Sequence, residues 1–128
     1  METFHGKQVP LWYIPPVASD ADWAWAAGIF EGAGAVVTIN GGRDLRLALN
    51  LTDEDIVRRY AQIVESRVLG PYRARAGADG SSRRPTFRCN LNCRFAIAAL
   101  ARMWPWLGSR RRDRCRELGF EPPRAVAL

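Results

Sequence analysis

Residues 43–51 constrain the fold more than any other stretch, because Leu45, Leu47, Leu49 and Leu51 alternate with Arg46, Ala48 and Asn50. A two-residue apolar period is the mark of a strand with one face in a core and one face in water. A helix would scatter those leucines around its circumference, so a sheet covered on one side only is the expected scaffold. The chain then needs a partner strand and something to cover the leucines.

Both are legible nearby. Asn40, Gly41 and Gly42 supply the positive backbone dihedrals of a tight hairpin, which pairs the run Ala35–Asn40 with Arg43–Leu51. The first run, Val36 to Ile39, is apolar in both registers and leaves its outward face undecided. Ser19 predicts a helix cap, with Asp20 and Asp22 in the first turn of a helix running to about Glu31. Thr52 is expected to cap a second helix over roughly Asp53 to Val68, with Ile56, Tyr60, Ile63 and Val64 on one face. A second hairpin is expected to pair Tyr72–Ala76 with Pro85–Leu91 across Gly77, Gly80 and the serines. The final third reads as helix from Cys93 to Met103, a break at Pro105 and Gly108, and helix again from Ser109 to Leu118.

The expected class is therefore α+β, in the order α-β-β-α-β-β-α-α, with helices on the leucine side of one four-stranded antiparallel sheet. Residues 1–18 read as a lead-in broken by Pro10, Pro15 and Pro16, in which Leu11, Trp12, Tyr13 and Ile14 dock on the domain. Residues 19–119 form that domain, and 120–128 an irregular tail with Pro122 and Pro123. At 128 residues a single domain suffices to bury a core.

Charge narrows the partners. The net charge is +6, Lys7 is the sole lysine, and the isoelectric point lies near 10.0. Arginine's planar fork grips phosphate or a guanine edge with paired hydrogen bonds. Strand alternation puts Arg46, Asn50, Arg73, Arg75, Arg88 and Asn90 on the face away from the leucines. Such a face is either merely solvated or laid in a DNA major groove, which admits a β-ribbon. Arg46, Asn50, Arg73 and Arg75 are the candidates for base edges, and Arg110, Arg111 and Arg112 for backbone phosphates. Arg43, Arg83 and Arg84 complete the basic set expected at DNA.

Other classes fit poorly. Cys89, Cys93 and Cys115 lack zinc spacing and a disulfide framework, and read as reduced thiols. His5 stands alone, too few for a histidine-metal nuclease, and no phosphate-binding glycine loop occurs. No apolar run reaches the roughly 20 residues that span a bilayer, and Met1–Pro10 lacks a signal-peptide pattern. A cytoplasmic, nucleoid-associated protein is expected.

The segment Trp25–Gly34, WAAGIFEGAG, sharpens the reading. Small residues at Ala24, Ala27, Gly28 and Gly32 would let a second helix approach closely. The nine positions Ala26 to Gly34 resemble the LAGLIDADG signature of homing endonucleases, whose core order is α-β-β-α-β-β-α. Leu45 to Asp53 resembles that family's second strand running into its "TD" helix start. Trp104 to Arg112, WPWLGSRRR, resembles its "PxL" segment with following basic residues. Only one motif occurs, so the resemblance implies a homodimer paired through Ala24, Ala27, Gly28 and Glu31, reading a pseudo-palindromic duplex.

The resemblance also implies a Mg²⁺-dependent, site-specific DNA endonuclease, with one departure. The eighth motif position, where the family carries its metal-binding acid, is Ala33. The Gly32 carbonyl could still face a metal, but the lost carboxylate weakens the site. Asp53 aligns with a position that orders water near the scissile phosphate, and Arg110 with a basic residue that stabilises the transferring phosphate. Asp53 reads equally as a helix-start residue, and Arg110 as a surface charge. Ala33 fits a relative that kept binding and lost cutting, or a chain whose acid was replaced. The expected activity is duplex binding with little or no cleavage. The alternatives are a non-catalytic regulator or maturase of the same architecture, or a basic scaffold that binds protein through its Trp and Arg residues.

Overall fold

The computed structural model describes residues 17–73 and 84–122 in full and the backbone of 2–4 and 7–9. Its elements run β1 (Glu2–Phe4), β2 (Lys7–Val9), α1 (Asp20–Ala33), β3 (Gly34–Ile39), β4 (Asp44–Leu51), α2 (Glu54–Val64), β5 (Leu69–Tyr72), β6 (Thr86–Asn92), α3 (Cys93–Met103), a 3₁₀ turn (Trp104–Trp106) and α4 (Ser109–Glu117). The protein is α+β: β3-β4-β6-β5 form one four-stranded antiparallel sheet, and β1 and β2 a separate hairpin.

The leucine alternation does what its period demands. Leu45, Leu47, Leu49, Cys89 and Leu91 are buried beneath the helices. Phe30 and Ala26 of α1, Val57, Tyr60 and Ile63 of α2, and Leu100 and Met103 of α3 close over them. Each fully buried large side chain of this kind contributes about 1.5–3 kcal/mol before chain entropy is set against it. The hairpin turn holds Asn40, Gly41 and Gly42 at φ of 55°, 69° and 87°. Only glycine and asparagine adopt such values cheaply.

Helix α1 begins at a reciprocal cap: the Asp22 amide donates to Ser19 Oγ (3.2 Å), and the Ser19 amide donates to the Asp22 carboxylate (2.8 Å). It runs two residues past the expected end at Glu31, to Ala33. At α2 the cap is Asp53, not Thr52; its carboxylate accepts from the Ile56 amide at 3.4 Å. That helix stops at Val64, short of the expected Val68, because Glu65 turns left-handed at φ 57°. The Ser66 hydroxyl then donates to the Asn90 carbonyl at 3.2 Å, tying the chain to β6.

The earlier stop moves the next strand forward. β5 covers Leu69–Tyr72 instead of starting at Tyr72, with Leu69 opposite Arg88, Tyr72 opposite Thr86 and a register shift between. Arg73 therefore follows the strand, while the remainder of the expected strand, 74–76, lies outside the described residues. The β1–β2 hairpin was not foreseen in the lead-in, and the expected docking of Leu11–Ile14 lies outside the described residues. The boundary after residue 119 also moves: Phe120 is buried, its ring centroid 5.1 Å from that of Trp104, and its amide donates to the Cys115 carbonyl.

The three cysteines are free thiols, as expected. Burial pushes the Cys89 thiol up to about 11 from its ordinary 9.0, against a smaller lowering by its Ser66 hydrogen bond. An unfolded thiol ionises above pH 9 while the folded one keeps its proton. Stability from this group is thus whole below about pH 9 and is lost on rising towards about 11, at roughly 1.4 kcal/mol per pH unit. Burial also holds the Tyr60 phenol un-ionised above its ordinary range, which adds to the loss beyond pH 10. Stability measured by urea unfolding is expected to fall between about pH 9 and 10 in the native chain and to fall less steeply in Cys89→Ala, where the Cys115 thiol, also raised by burial, keeps part of the slope; parallel curves would contradict this assignment.

Candidate nucleic-acid interface and the end of helix α1

Sheet register assembles the open face residue by residue. Val37 pairs with Arg46, and Arg46 with Asn92; Ala35 pairs with Ala48, and Ala48 with Asn90; Asn50 pairs with Arg88. Alternation then settles the face left undecided in β3: Val36 is buried, while Ala35 and Val37 look out. Arg46, Asn50, Arg88 and Asn90 stand on this one surface, as their spacing predicts. Asp44 shares it at the β3–β4 end, where its carboxylate accepts from Asn40 Nδ2 at 2.8 Å.

Two side chains on this face escaped the sequence reading. Asn92 Oδ1 accepts from Arg46 Nε at 2.8 Å, which fixes the guanidinium in place. Arg88 lies over the Tyr72 ring, 4.4 Å from its centroid, a cation–π contact that orients it. Asn92 continues the alternation of Arg88 and Asn90 and was findable by parity. Tyr72, which the sequence places at the start of a strand, ends one. Arg43, Arg73 and Arg84 are exposed at strand ends around the face. Arg75 and Arg83 lie outside the described residues.

The arginine run of α4 divides. Arg110 is exposed beside a cleft formed by Glu31 and Gly32 of α1 with Ser109 and Arg114 of α4. Arg111 turns inward instead: its Nη2 donates to the Glu31 carbonyl (3.2 Å) and the Gly34 carbonyl (2.9 Å), and its Nε stands 3.4 Å from the Glu31 carboxylate. The guanidinium also covers the Phe30 ring at 4.7 Å. Arg112 donates to the Trp104 carbonyl (2.9 Å) and the Pro105 carbonyl (3.0 Å). Both guanidiniums bond helix-end carbonyls of their own chain, where the sequence predicts them facing backbone phosphates. Helix α1 has no basic residue in its last turn, so Arg111 supplies the cation its carboxyl end favours.

The small residues of α1 divide as well. Ala27 is fully buried in the chain's own core and is unavailable to a second helix, which corrects its place in the expected interface. Ala24 and Glu31 are half-buried; Gly28, Gly32 and Ala33 are exposed. A Cβ added at Gly28 or Gly32 meets nothing within 4 Å. The internal packing gives no reason for glycine at either place, although glycine within a helix costs about 1 kcal/mol relative to alanine.

The donor set around this helix end does not fit Mg²⁺ in the single chain. Ala33 offers a methyl group, the Glu31 carboxylate is held by Arg111, and Asp53 serves as the α2 cap. Among the described residues no three His, Cys, Asp or Glu side chains converge. Mg²⁺ requires hard oxygen ligands in near-octahedral array. No helix among them is long and apolar enough to cross a membrane. No family pattern, curated protein or solved structure matches the chain.

Proposed function

We propose that this chain binds duplex DNA as a homodimer of the single-motif LAGLIDADG homing-endonuclease type, with its cutting centre impaired at Ala33. The observation that carries the reading is the sheet face opposite the buried leucines, where Arg46, Asn50, Arg88 and Asn90 stand in register with no helix over them among the described residues. A net charge of +6 suits a polyanion. Gly28 and Gly32, exposed and idle within the chain, are the residues a symmetry-related α1 needs for close approach.

Binding of this kind requires no metal, because the contacts come from arginine and asparagine side chains. Affinity for duplex DNA is expected to fall by about 10³-fold or more between 50 and 200 mM salt if six or more phosphates are engaged. It is expected to be unchanged by EDTA. Mg²⁺ should bring little or no cutting, and Ala33→Glu should increase it. A mobility-shift titration over salt, with sedimentation of the free and bound protein, tests the reading. Salt-insensitive association, or a single subunit on DNA, would overturn it; preference for structured RNA would favour the maturase alternative.

A further inference from the structure

Resting on that reading, we propose that Arg46 and Val37 together read two neighbouring base pairs of each half-site, a guanine and a thymine, and that the thymine is recognised by its C5-methyl group. Arg46 lies on β4, an inner strand of the order β3-β4-β6-β5, so it faces the middle of the open surface, where a groove floor would lie, and not the rim. Its Nε is occupied by Asn92 at 2.8 Å, and no hydrogen bond to its terminal nitrogens is present among the described residues. A guanidinium anchored in this way presents its two terminal amino groups as a fixed fork. The major-groove edge that accepts two parallel hydrogen bonds from such a fork is guanine O6 and N7.

Val37 is directly opposite Arg46 across the β3–β4 ladder and remains 39% exposed. Its neighbour on the same face, Ala35, is exposed as well. A phosphate gains nothing from an isopropyl group, and the one apolar group the major groove offers is the thymine methyl. The Cβ atoms of a directly opposed cross-strand pair stand about 4.5–5.5 Å apart. Base pairs rise about 3.4 Å per step. That spacing suits contacts to adjacent steps, so the pairing in the sheet favours a guanine and a thymine that are neighbours.

The probe is a randomised duplex library, from which the full chain selects its sites. The best selected site is then synthesised with deoxyuridine in place of the thymine next to the essential guanine. That change removes one methyl per half-site and leaves the protein untouched. Affinity is expected to drop roughly fourfold per half-site, or about 15-fold in a two-fold complex. Val37→Ser is expected to bind the thymine and uracil duplexes alike, with its thermal midpoint confirming that it folds. Equal binding of both duplexes by the native chain, or selected sites lacking an adjacent guanine and thymine, would overturn this inference while leaving DNA binding intact. Failure to select any duplex would overturn the proposed function itself.

Discussion

Replacing Phe30 with alanine is expected to lower folding stability by about 3–5 kcal/mol, a large part of what a domain this size possesses. The ring is fully buried between α1 and the sheet, so the change removes its contacts and leaves a cavity. It also removes the surface on which the Arg111 guanidinium rests, 4.7 Å from the ring centroid. Gly34 is adapted to the same ring: a Cβ there would lie 2.6 Å from Phe30 Cε1 and 2.8 Å from Cγ. Because Gly34 has φ −85°, its need for glycine is one of space and not of backbone conformation. Gly34→Ala should therefore cost about 1–3 kcal/mol by overpacking, and much less in a Phe30→Leu background that relieves the overlap. Urea denaturation of the native chain, Gly34→Ala, Phe30→Leu and the double variant closes the cycle, with Phe30→Ala measured beside them. A Phe30→Ala loss below about 1 kcal/mol, or strict additivity of the pair, would contradict this account.

That cluster illustrates what sequence can and cannot convey. The Ser19 cap, the Asn40–Gly42 turn and the break at Pro105 and Gly108 were legible because each rests on local backbone chemistry, whereas α1 ends two residues later than expected, at a glycine set by the Phe30 ring. The α2 end was not, because Glu65 adopts the left-handed conformation without the glycine or asparagine that usually announces it. Thr52 and Asp53 are both good caps, and only the Ile56 amide's choice of Asp53 separates them. The consequence extends to the next element, since a helix reaching Val68 leaves no room for the strand that starts at Leu69.

The candidate site divided along the same line. Alternation placed Arg46, Asn50, Arg88 and Asn90 on one face without knowledge of the tertiary fold. For Arg110, Arg111 and Arg112, sequence reports three like charges and nothing of their directions. Helical geometry separates successive residues by about 100°, so three in a row cannot serve one surface. Arg111 went to the carbonyls of α1, Arg112 to those of the 3₁₀ turn, and Arg110 alone remained exposed beside the cleft. Similarly, Ala27 fits a small-residue interface by spacing, yet its own chain buries it.

For DNA, the largest single effect is expected at Arg46. A bidentate arginine–guanine pair contributes about 1–3 kcal/mol of discrimination, and a two-fold complex uses it twice. Arg46→Ala should therefore weaken binding to the selected site by between about 30-fold and 25,000-fold. Its effect on folding should be small, since the side chain stands on the open face and its hydrogen bond is to the exposed Asn92. Arg46→Lys keeps the charge but loses the fork, so it should lose most of the discrimination while retaining non-specific binding. Asn92→Ala should produce a smaller loss of the same kind, because it frees the guanidinium without removing it. The salt dependence separates the roles further: a base-reading arginine leaves the slope largely intact, whereas Arg84→Ala, at the rim, should reduce it by about one phosphate per subunit. If Arg46→Ala binds selected and random duplexes with the native ratio, then the centre of the sheet does not read bases. The arginines of this face would then be no more than a charged surface.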